Sequence, residues 1–169
     1  MGRIKNRLLA KIFTRFPFLL RGYFQRRGLR GDSEIPWTPL KKDLRDCKVA
    51  IVTTAGVHLK SQQPFDMKDK KGDPSFREIP ANIPTSELMI THDYYDHKDA
   101  DKDINIVFPI DRLKEMKNAG EIKAVADVNI GFMGHIDDQL LSVLINETAP
   151  EAGKRLKAQG VDVVLLTPG

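Results

Sequence analysis

Four short apolar runs, the last three separated by helical segments, constrain this chain more than anything else in it. They are Lys48–Thr54 (KVAIVTT), Ile104–Phe108 (INIVF), a stretch within Glu121–His135 (EIKAVADVNIGFMGH) and Val161–Leu166. Lys48–Thr54 is a short, apolar, β-rich run that reads as a buried strand, and the other three are strand candidates beside it. Between them lie segments with helix punctuation. Pro109–Asn118 has proline near its first turn and Gly120 just past its end. Asp137–Asn146 and Ala149–Gln159 follow, the second opened by Thr148-Ala149-Pro150-Glu151 and closed by Gly160. Strands alternating with helices predict a parallel sheet in a three-layer α/β domain, Rossmann- or flavodoxin-like.

Two regions depart from this rhythm. Residues 61–103 are polar and weakly periodic, yet hold Phe65, Phe76, Tyr94 and Tyr95, so an ordered loop with a purpose is expected. Residues 1–30 form a separate extension ahead of the α/β domain, 31–169. Ile4, Leu8, Ile12 and Phe16 recur at four-residue steps beside a face of Arg3, Arg7, Lys11 and Arg15. That predicts a basic amphipathic helix over 1–28, kinked or divided at Pro17. Such a helix suits an anionic membrane surface or a partner, or packing on its own domain or on a second copy. Gly31, Pro36 and Pro39 make the next stretch, with Trp37, a linker.

Charge follows the same division. The extension carries nine of the 27 Lys and Arg and no acid, leaving 18 basic against 23 acidic residues, or −5, in the remainder. The net +4 therefore belongs to the extension and does not mark the body as nucleic-acid binding. No apolar run approaches the ~20 residues of a membrane span, and none makes a secretory leader, so a cytoplasmic location is expected. Cys47 is the one cysteine. It sits at the start of a strand, excludes an internal disulfide and reads as a small packed hydrophobe.

Ligands of open α/β sheets bind beyond the carboxyl ends of the strands. Two segments fall there: TTAGVHL, with Thr53, Thr54, Gly56 and His58, and the terminal TPG. Gly56 alone is no dinucleotide fingerprint, and no Walker loop is present, so no bound cofactor is expected. The segment THDYYDHKDADKD gathers His92, Asp93, Asp96 and His97. The two histidines are five apart, not the four of a helical zinc pair. Asp99, Asp101 and Asp103 start like a calcium loop, but Ile104 and Ile110 stand where its glycine and final glutamate belong. A solvated acidic loop, a metal site, or a histidine acid or base oriented by a neighbouring aspartate are the readings open here. His135, in GFMGHI, lies at a strand-to-helix turn, facing a substrate or bonded to backbone.

Taken in order, EIPWTPL, VTTAGVHLKSQQPFDM, GDPSFREIP, THDYYDHKDADKDINIVFPIDRL, GFMGHI and GVDVVLLTPG resemble the selenoprotein B family of glycine, sarcosine, betaine and D-proline reductases, from about Glu34 to Gly169. The resemblance implies reductive carbon–nitrogen cleavage of an amino-acid-derived substrate. It implies a selenocysteine followed after two residues by a cysteine, partner subunits including one with a pyruvoyl group, and electrons from a thioredoxin-type dithiol. It further implies that Thr53, Thr54, His58, His92, Asp93, Asp96, His97 and His135 line one cleft. The selenocysteine would come directly after Gly169. Its UGA codon is read as a stop in gene-calling, so an α/β domain incomplete at its carboxyl end is expected, with exposed apolar surface near the last strand. Two other readings stand beside this: a binding or scaffolding subunit that ends at Gly169, and a metal-dependent enzyme built on HDYYDH.

Overall fold

The computed structural model describes residues 38–168 together with Ile12, Arg15 and Phe16. Backbone contacts divide the chain into two units, Met1–Lys41 with Asp93–Asp96, and Lys42–His92 with His97–Gly169. In the first, Ile12 and Arg15 are helical and exposed, and the Phe16 N–H donates to the Ile12 carbonyl at 2.8 Å. The rest of the expected basic helix, and Trp37, lie outside the described residues.

The second unit is built on β1, Lys48–Thr53. It pairs with β7, Val163–Thr167, in a parallel ladder from Val49↔Val163 to Thr53↔Thr167. Its other edge takes β5, Ala124–Val125, and then β6, Val128–Phe132, both parallel. Beyond β6 lies β3, Phe76–Pro80, which runs antiparallel from Phe76↔Phe132 to Pro80↔Val128. The sheet is thus mixed but mostly parallel, and the α/β class holds. A two-stranded antiparallel sheet stands apart: β2, Val57–Leu59, with β4, Leu88–Ile90.

The expected third strand is broken in two. Between Val49↔Val125 and Val52↔Ile130 the register steps by two residues. Asp127 swings out to solvent while Ala126 and Asn129 stay buried. The step takes the ordinary backbone acceptor away from the buried Ile51 N–H. The Asn129 side chain replaces it, with Oδ1 accepting at 2.8 Å. An amide N–H left bare at such depth costs about 1–3 kcal/mol, so this side chain acts as part of the ladder.

Side chains alternate across a strand, and the alternation sorts the covers. Ala50 and Val52 pack with Ile130 and Phe132 against Ala152 and Leu156 of a helix, α3, Ala149–Ala158. Thr53 points the other way, to the Val107 carbonyl, just ahead of the helix α1, Ile110–Asn118. Val49 and Ile51 share that face and are 3% and 0% exposed. One face of β1 is therefore covered by α3, and the other is buried with the Val107 carbonyl against Thr53. The cover does not extend along β7, where Val164, Leu165 and Leu166 are 39%, 38% and 73% exposed.

Three expectations are corrected. Ile104–Phe108 is not a strand; Ile104–Ile106 is a 3₁₀ turn. Asp103 caps it, its carboxylate accepting the Asn105 N–H at 3.0 Å, a local bond that competes with strand pairing. Residues 61–103 are not one loop, since they hold β3, β4 and a 3₁₀ turn at Thr85–Glu87. Thr148 opens no capping box: its backbone is already helical (φ −76°, ψ −39°) and its side chain caps nothing. Instead a short helix α2, Gln139–Val143, runs through a π-turn, Leu144–Thr148, straight into α3. The Ala149 N–H reaches back to the Leu144 carbonyl, the wider spacing of a π-helix. No helix among the described residues is long and apolar enough to cross a membrane.

Candidate functional site

Because β1, β6 and β7 are parallel, the loops after them emerge at one carboxyl edge: Thr54–Gly56, Met133–His135 and Pro168. These loops are in close backbone contact. A Cβ on Gly134 would lie 2.3 Å from the Thr54 carbonyl oxygen, and φ is +86° there, so glycine is needed twice over. A Cβ on Gly56 (φ +74°) would meet the Thr91 carbonyl at 2.5 Å and the His92 Cβ at 3.1 Å. The Gly56 N–H donates to Phe132 and its carbonyl accepts from Thr91, each at 2.9 Å. The edge thus brings together Thr53, Thr54, Gly56, the backbone of His92, Gly134 and Thr167.

The expected site residues divide by what their polar groups already do. Thr53 is fully buried; its hydroxyl donates to the Val107 carbonyl at 2.9 Å and accepts the Ala55 N–H at 3.2 Å. Thr54 is exposed, and its hydroxyl has no partner among the described residues, so it is the hydroxyl of the pair that faces solvent. His58 is fully buried, edge-on to Phe65 at 5.7 Å. Burial holds its pKa below the ordinary histidine range, the Arg77 charge lowers it further, and the Leu59 hydrogen bond opposes both. A carbonyl only accepts, so Nδ1–H donates to Leu59 O at 2.8 Å; the neutral ring then leaves Nε2 to accept from the Thr91 hydroxyl at 2.7 Å. Both nitrogens of His58 are spent inside the protein.

His92 is 7% exposed and Asp93 3%, whereas Asp96 is exposed. His97 Nδ1 lies 2.8 Å from Asp101 Oδ2. That aspartate lines a cleft of 610 Å³ with Lys60, Ser86, Met89 and Ile104. No sequence signal pointed to this cleft, because its walls come from separate short elements. His135 turns to the Asp66–Asp73 loop instead, its Nε2–H donating to the Lys70 carbonyl at 3.0 Å. That loop is tied down beside it by Asp137 N–H to Lys71 O at 2.8 Å and by a Gly72↔Ile136 bridge. Of its two open readings, His135 fits the backbone-bonded one. No group of three or more His, Cys, Asp or Glu among the described residues is arranged to hold a metal. Cys47 is fully buried at the opposite, amino end of β1, its thiol 3.3 Å from the Asp43 carbonyl.

Residues 28–169 match the family of glycine/sarcosine/betaine reductase selenoprotein B. The chain belongs to that family. It is 44% identical to D-proline reductase subunit gamma of Acetoanaerobium sticklandii over 149 residues, 85% of this chain and 60% of the relative. It is 29% identical to glycine reductase complex component B subunit gamma of Carboxydothermus hydrogenoformans over 136 residues, 79% of this chain and 30% of the relative. The chain thus spans less than two thirds of the length of the first and under a third of the second. Both relatives are named as subunits of reductases, which agrees with the family resemblance drawn from the sequence motifs. No solved structure matches the chain.

Proposed function

We propose that this chain contributes the amino-terminal part of a selenol-dependent reductase subunit that cleaves a carbon–nitrogen bond in an amino-acid-derived substrate. The redox residue follows Gly169. Reductive cleavage of that bond takes two electrons and two protons. A selenol and a nearby thiol supply both as they close to a selenenylsulfide, and a dithiol donor of thioredoxin type reopens it. Partner subunits complete the enzyme, one of them carrying the amine substrate on a pyruvoyl group.

The observation that carries this reading is the course of β7, which delivers the chain to the carboxyl edge beside the loops of β1 and β6. A selenol placed there, at the start of a following helix, would be stabilised as the anion by the helix dipole and free N–H groups, and the anion is the nucleophile. The exposed Val164–Leu166 surface suits a strand covered by further chain. Within this reading Thr54 and His92 line the edge, and Thr53, His58 and His135 support it through their internal hydrogen bonds. For Asp93, Asp96 and His97 the resemblance implies a place in the cleft and no individual role.

The test is the gene beyond the codon for Gly169, paired with the intact mass and selenium content of the native protein. An in-frame UGA, two codons, a cysteine codon and one selenium per chain are expected. A UAA or UAG codon and a selenium-free protein of 169 residues would overturn the reading in favour of a scaffolding subunit.

A further inference from the structure

The Val107 carbonyl accepts two hydroxyls, Thr53 Oγ1 at 2.9 Å and Thr167 Oγ1 at 2.7 Å. A carbonyl oxygen has two lone pairs, so the pair fills it. The two threonines are register partners on β1 and β7. The Thr167 carbonyl also accepts the Thr54 N–H at 2.9 Å. The last residue of β7 is therefore tied by side chain and backbone, while the three residues before it stand exposed. The anchor is itself fixed. Val107 follows the 3₁₀ turn whose Asn105 donates to Asp103 and to Asp111 at 3.0 and 3.2 Å and accepts the Asp111 N–H at 3.0 Å.

β7 is tied at both ends, and the tie at its exit is a hydroxyl seated on the carbonyl of buried Val107, which fixes the direction of the chain that leaves it. We propose that Thr167 is a positioning residue: its hydroxyl, seated on Val107, sets the direction in which the chain leaves β7 and so places the redox group that follows. This rests on the reductase reading above. The other end of the same strand supplies a control. There Asp162 Oδ2 accepts the Lys48 N–H and pairs with Lys42, each at 2.8 Å, far from the exit.

The experiment uses the full-length protein. Iodoacetamide alkylation of the redox residue, located by peptide mapping, is followed against pH in Thr167→Val, Thr167→Ser and Asp162→Ala, with thermal melts alongside. Thr167→Ala replaces the valine variant should that one not fold. Loss of the hydroxyl is expected to slow alkylation about fivefold, the worth of one hydrogen bond, and to shift the pH midpoint. Thr167→Ser restores both. Asp162→Ala lowers the melting temperature and leaves the profile in place. An unchanged profile in Thr167→Val, or an equal shift in Asp162→Ala, overturns the positioning role and leaves the reductase reading standing. A protein with no selenol or thiol beyond Gly169 overturns both.

Discussion

β1 and β7 lie side by side, parallel and in register, and are made of nearly the same residues, KVAIVT and VVLLT. Ile51 at the middle of β1 is fully buried, yet its partner on β7, Leu165, is 38% exposed, and Leu166 beyond it 73%. Both strands carry the hydrophobic demand for cover. β1 has it, from strands on both edges and cover over both faces. β7 has β1 on one edge and, among the described residues, no strand on the other. Composition states how much burial a strand seeks; neighbours decide how much it receives.

The largest expected effect tests that contrast directly. Ile51→Ala should lower the unfolding free energy by about 2–5 kcal/mol, the range for emptying a packed core position. Leu166→Ala should cost less than about 1 kcal/mol. Urea denaturation of the 169-residue chain measures both, and equal losses would erase the difference between the strands. Next comes the repaired ladder. Asn129→Leu leaves the Ile51 N–H without its acceptor and should cost about 1–3 kcal/mol, with faster hydrogen exchange at that amide; unchanged exchange would mean that the bond is dispensable.

His58 gives a smaller, pH-dependent effect. Its folded pKa is depressed chiefly by burial, so as pH falls below about 6.5 the unfolded chain takes up a proton first. Stability is full above that pH and declines below it, levelling off beneath the folded pKa. An NMR titration should find His58 ionising at lower pH than an ordinary histidine, and a midpoint at or above the ordinary value would refute the buried neutral ring. The smallest change is on the exposed strand. Leu166→Lys should alter stability by no more than about 0.5 kcal/mol while reducing self-association in light scattering, because a charge blunts an apolar edge.

The strands whose neighbours are close in sequence pattern were legible. β1, α1, β7 and the family motifs around them follow from apolar runs, a proline at a helix start and glycines at helix ends. Ile104–Phe108 misleads because INIVF has strand composition, and the deciding bond, Asp103 to the Asn105 N–H, is local and polar. β3 escapes notice because FREIP alternates poorly and ends in proline; its pairing with β6 is long-range. At the site, residue types were legible but engagement was not. Nothing in the sequence distinguishes Thr53, with its hydroxyl spent, from Thr54, exposed beside it. Thr167 was visible as part of TPG, but its bond to Val107 spans 60 positions and leaves no local trace.

The π-turn at Leu144–Thr148 also sets a phase. It accommodates one more residue than an α-helical turn, and each residue in a helix advances the face by about 100°. The rotation that it introduces lets Ala152 and Leu156 meet the sheet while Ile145 and Leu141, about two and three turns before Ala152, look outward at 59% and 44% exposure. A single-residue deletion anywhere within 144–148 would tidy the hydrogen bonds into a regular helix and, in doing so, turn the inward face of α3 away from β6. The irregular turn works as a clutch: local disorder of pattern keeps two helical segments of different phase on one axis.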